Sequence, residues 1–138
     1  MKISIFELGY RYILPSIKKR LVEIMLREYG YTQREIANIL GLSEAAVSRY
    51  ISSQRGHTIN IEIYSDIDKR IRELAELIAS HRIRDRYTIY RKLYGIVLET
   101  MSKKYVCSIH RELDRDIDPS RCNICPELFS SIAIDEKR

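Results

Sequence analysis

The stretch TQREIANILGLSEAAVSRYIS, residues 32–52, decides the fold. Thr32 followed three residues later by Glu35 forms a capping box, the signature of a helix start. In that helix Ile36 and Leu40, four apart, share an inner face, and Ala37 is small where a second helix would cross closely. Gly41 supplies the positive φ of a tight turn, which a residue with a Cβ adopts only at a cost. Leu42 fills the corner and Ser43 caps the next helix. There Val47, Tyr50 and Ile51 fall at i, i+3 and i+4 and face inward, which leaves Glu44, Ala45, Ser48, Arg49 and Ser52 facing outward.

Two short helices across a glycine turn, the second with small and polar residues outward, predict a helix-turn-helix. Its second helix, about residues 44–53, can enter a major groove about 12 Å wide. Arg49 has the fork that matches guanine O6 and N7, Ala45 suits a thymine methyl, and Ser48 and Glu44 can donate or accept at base edges. Glu44 can equally serve the positive end of its own helix dipole. Ser43 and Ser52 bracket this face. Lys18, Lys19, Arg34 and Arg55 are the expected phosphate contacts on either side of it.

Working outward, residues 15–29 read as a helix that opens on Pro15, buries Ile17, Leu21, Ile24 and Met25, and stops at Gly30. The lead before it, residues 1–13, fits a short strand or a helix equally well. After the motif, residues 57–64 form a connector whose alternating INIEI allows a short strand. Residues 66–79 and 85–103 follow as two amphipathic helices. The second carries Tyr87, Tyr90, Leu93, Tyr94, Val97 and Met101 on one broad face, which reads as a core or a subunit seam. Because helix-turn-helix dimers read two half-sites one turn apart, residues 66–79 and 87–101 are the expected homodimer seam, with Tyr90, Leu93 and Val97 at its centre.

The motif resembles the Cro and phage-repressor family of helix-turn-helix domains (the XRE family). The longer run ELGYRYILPSIKKRL (7–21) with YGYTQREIANILGLSEAAVSRYISSQRG (29–56) is similar to predicted archaeal transcriptional regulators that carry this domain. The resemblance implies sequence-specific binding of double-stranded DNA, with Gln33 holding a phosphate and the start of the second helix reading bases.

The last 32 residues change character and contain every cysteine of the chain. Cys107, His110, Cys122 and Cys125 form C-x2-H-x11-C-x2-C, two close pairs that together offer four ligands for a tetrahedral site. Zinc is the expected ion, and an iron-sulfur cluster acting as a redox sensor is the alternative. A disulfide framework fits poorly, because the cysteine count is odd.

Composition sets the outer limits. With 45% hydrophobic and 31% charged residues, five Gly and three Pro, the chain has the make-up of an ordered globular protein. Residues 1–60 carry nine Lys and Arg against five Asp and Glu, whereas residues 107–138 carry five against seven. A basic front half suits a polyanion, because neutralised phosphates release counterions. No apolar run nears the roughly 18 residues of a membrane span, and the amino terminus lacks a secretory pattern, so a cytoplasmic location is expected. There is no Gly-rich phosphate loop, nucleophile elbow or acidic metal pair, and no enzyme is expected. The rival class is a bridging protein of the transcription machinery.

The expectation is therefore an all-α protein: a repressor-like head over 1–60, a two-helix dimerisation region over 61–106, and a small Cys/His metal-binding tail over 107–138. Any small-molecule effector is unspecified.

Overall fold

The computed structural model describes residues 1–137, and every regular element among them is helical. α1 (Ile5–Leu8), a π-helical turn (Gly9–Ile13) and α2 (Leu14–Arg27) follow one another without a break. The lead segment is thus helical, started by a capping box between Ser4 and Glu7. Pro15 was expected to open a helix and instead lies inside one. A proline ring in a helix collides with the carbonyl four residues back and brings no donor. The turn before it is widened: the Leu14 N–H donates to the Gly9 carbonyl, five residues back, and Ser16 Oγ donates to the Tyr12 carbonyl at 2.7 Å.

α3 (Gln33–Leu40) and α4 (Glu44–Ile51) pack on α2 and complete a three-helix head. The connector then forms a 3-10 turn (Ile61–Ile63), with Ile59 and Ile61 buried beside exposed Glu62 and Ile63, and the allowed strand does not form. α5 (Ser65–Ala79) returns along α2, held by ion pairs. Arg20 Nε donates to Asp68 Oδ1 at 2.7 Å, and Arg72 Nη1 reaches both Glu28 carboxylate oxygens at 2.8 and 2.7 Å. Burial works to raise the Asp68 carboxyl, but the hydrogen bond and charge of Arg20, with Arg72 behind them, hold it below its ordinary value.

α6 (Arg86–Ser102) is the central helix. α2, α5 and α8 (Ile124–Lys137) all close on it, so its buried positions cover more than half of its circumference: Ile89, Leu93, Gly95, Ile96, Val97, Glu99, Thr100 and Met101. Of the tyrosines expected to share a face with Leu93, Tyr87 is 87% exposed and Tyr94 half exposed, while Tyr90 packs against the core. Leu93 and Val97 belong to the chain's own core, and that removes them as the centre of a dimer seam. One connected apolar cluster runs from Ile5 to Val106, so the head and the helices after it share a single core across position 60.

The tail is largely helical. α7 (Cys107–Leu113) and α8 form in it, Phe129 and Cys125 pack against the core, and Ile117 is buried. The Asp114 carboxylate accepts hydrogen bonds from the Lys2 and Ile3 N–H groups, tying the tail to the amino terminus. Among the described residues no helix is long and apolar enough to cross a membrane.

Candidate nucleic-acid interface

Thr32 accepts from the Glu35 N–H at 3.1 Å while Glu35 accepts from the Thr32 N–H at 3.0 Å, so the expected capping box closes in both directions. The bond from the Thr32 N–H, with the Thr32 hydroxyl beside it, holds the Glu35 carboxyl below its ordinary value. Gln33 and Arg34 stand exposed at the amino end of α3, where free backbone N–H groups and the helix dipole favour a phosphate.

Gly41 takes φ 66° and ψ 37°, and its N–H and that of Leu42 both return to the Ala37 carbonyl. The guanidinium of Arg86 lies directly over this glycine, and a Cβ there would come within 2.8 Å of it. Arg86 Nη2 donates to the Asn38 carbonyl at 2.9 Å and the Tyr90 hydroxyl to the Leu40 carbonyl at 2.6 Å. Two side chains of α6 thus satisfy carbonyls at the end of α3 and brace the turn from behind.

The turn aims α4. Ser43 Oγ accepts from the Ala46 N–H at 3.0 Å and is committed to capping. Ala46, Val47 and Tyr50 are buried, Ile51 is half-buried, and Glu44, Ala45, Ser48, Arg49 and Ser52 are all exposed. The expected reading face is thus presented as a single surface. At eight residues, α4 is about 12 Å long.

The flanking cations divide. Arg55 is exposed just beyond α4. Lys19 forms an ion pair with Glu23 one turn along and keeps only 17% of its side chain exposed. Lys18 instead lies with Arg11, Arg55 and His57 around a cleft of about 670 Å³ at the end of α4. Arg11 and His57 had no signal in the sequence, because their approach depends on the widened turn and on how the 54–58 loop seats on α2.

The four expected metal ligands do not converge. Among the described residues no group of three or more His, Cys, Asp or Glu side chains could hold a metal ion. His110 is buried, and its Nε2 lies 2.7 Å from the Ile3 carbonyl. The three thiols are neighbours in the electrostatic sense. Burial, with the charges that Cys107 and Cys122 would carry, pushes the Cys125 thiol up to about 11, and burial likewise raises Cys107. Such thiols stay protonated at neutral pH without a cation to draw the proton off.

Residues 14–53 match the protein family described as winged helix-turn-helix DNA-binding. The matched span covers α2, α3 and α4. The chain therefore carries a helix-turn-helix DNA-binding domain. The wing that gives the family its description would be built of strands, and among the described residues there is none. No curated protein and no solved structure matches the chain.

Proposed function

We propose that this protein is a sequence-specific transcription regulator, with a head of the Cro and phage-repressor type, that reads double-stranded DNA by laying α4 in the major groove. The observation that carries this reading is the single exposed face of Ala45, Ser48, Arg49 and Ser52 on a short helix aimed by a braced turn. Arg49 reads a guanine edge, Ala45 meets a thymine methyl, and Glu44 and Ser48 add base-edge hydrogen bonds. Gln33 and Arg34 at the start of α3, together with Arg55, position the head on the backbone. One such head spans one half-site, so the reading includes a twofold homodimer. Tyr87 and Tyr94 of α6 and Leu128 and Ile132 of α8 are among the exposed apolar side chains available for it.

Arg49→Ala should weaken binding to a selected duplex by about 1–3 kcal/mol, roughly 5- to 150-fold, and flatten discrimination at one base pair. Fluorescence anisotropy on selected and random duplexes measures both, and titration to saturation should give two chains per site. Equal loss on the two duplexes would remove Arg49 from the reading face.

For the tail, zinc is the ion that Cys107, Cys122 and Cys125 would take once their side chains turn toward one point, which they do not do in this structure. His110 can join only through Nδ1, since Nε2 is held by the Ile3 carbonyl. Support comes from the soft donor set and the mutual influence of the thiols. Phe129, Ile117 and Asp114 also anchor the tail, so the helices of the tail are not expected to depend on the ion. Elemental analysis should find one zinc per chain, and Cys122→Ser should release it with the helical circular-dichroism signal unchanged. Protein grown with zinc and purified without any bound would remove this part.

A further inference from the structure

Lys18, Lys19 and Arg20 follow one another on α2, yet the fold treats them differently. Lys19 is paired with Glu23, and Arg20 with Asp68 and Glu62. Among the described residues Lys18 has no such carboxylate partner. Its ammonium lies 5.3 Å from the centre of the Tyr90 ring, and it lines the cleft at the end of α4 together with Arg11, Arg55 and His57. Among the described residues no Asp or Glu lines that cleft. Burial and the nearby charge of Arg55 both disfavour the charged form of Lys18, so the free protein holds two cations side by side at a cost. An anion seated between them relieves that cost.

The cleft is also preorganised. Gly56, at φ 73°, sits so close to the first turn of α2 that a Cβ would lie 2.3 Å from the Pro15 carbonyl oxygen. This seats the loop carrying Arg55 against the turn that carries Lys18. The widened π-helical turn just before Pro15 places Arg11 on the same rim. The cleft begins at Tyr50, in the last turn of α4, and runs on along Gln54 and Arg55 just past the end of that helix.

We propose that Arg11, Lys18 and Arg55 form a clamp for DNA backbone phosphate beside the groove that α4 enters, extending the contact to the helix that precedes the helix-turn-helix. The inference rests on the DNA-binding reading above. The duplex is the source of the phosphate because the cleft is open and borders the reading helix, with Arg11, Gln54 and Arg55 all exposed at its rim.

The test is the salt dependence of binding for the unmodified protein, Lys18→Gln, Arg11→Gln and Lys18→Arg, on a selected and a random duplex. Each phosphate no longer neutralised lowers the slope of log K against log salt by about 0.9, which is about eightfold in affinity per tenfold step of salt. Lys18→Gln should lower the slope by that amount and weaken both duplexes by the same factor, Arg11→Gln should act in the same direction, and Lys18→Arg should restore the slope. Thermal melting of each variant checks that it is folded, and exposed Arg11 keeps the test open if the Lys18 variant is not. Unchanged slopes for both Gln variants, in a protein that binds duplex and still loses discrimination with Arg49→Ala, would overturn the clamp and leave the reading helix standing. Failure of the unmodified protein to bind any duplex would overturn both. If pyrophosphate raises the melting temperature of the unmodified protein but not of Lys18→Gln, with duplex slopes unchanged, the cleft serves a free anion and the clamp is wrong.

Discussion

Leu93→Asp should leave no folded protein. Leu93 is 1% exposed at the centre of α6, among Ile89, Ile96 and Val97. Losing its burial removes about 1.5–3 kcal/mol, and a carboxylate placed there without a partner costs several more. Together these approach the roughly 5–15 kcal/mol that holds a domain of this kind folded. The expected result is loss of the far-ultraviolet helical signal and of a cooperative melt, in the presence or absence of DNA. A soluble, fully helical monomer would show instead that this face of α6 is a subunit surface. The contrast is sharp because the two roles predict opposite results from one substitution. By the same argument Tyr94→Asp, on the exposed side of α6, should fold normally.

The seam and core readings could not be separated in the sequence, and the reason is physical. Spacing shows which side chains share a face but not what covers it. α6 looks one-sided only while α8 is unrecognised, and α8 was hidden by CNICPELFSS, where cysteines and a proline draw attention to metal rather than to Phe129. The head was legible because its signals are local: the Thr32–Glu35 box, the φ of Gly41 and the Ser43 cap each act within four residues. Pro15 misled for the opposite reason. Proline most often opens a helix, and only the widened turn before it, invisible in composition, lets one run through. His110 shows the same limit over a longer span, since its Nε2 partner is the Ile3 carbonyl, 107 residues away. The outward face of α4 followed from the inward one, whereas the cleft at its end needed three segments brought together by the fold.

Arg70→Met should lower stability by about 3 kcal/mol. Glu99 is 1% exposed inside the helical middle, where its Oε2 accepts from Arg70 Nε at 3.2 Å and its Oε1 lies 3.3 Å from Lys103 Nζ. Removing one member of a buried ion pair strands the other's charge in a medium that solvates it poorly, and typical losses are about 3–5 kcal/mol. Lys103 remains beside Glu99, which sets the expectation at the lower end. For a chain of this length that corresponds to a fall in melting temperature on the order of 10 °C. The double variant Arg70→Met with Glu99→Met separates charge from packing. If the loss comes from a stranded carboxylate, the double variant recovers most of it, because well-packed apolar replacements of buried ion pairs are often neutral or better. If the two losses simply add in thermal melts, Arg70 contributes through its aliphatic stem against α6, and the ion pair is incidental to stability.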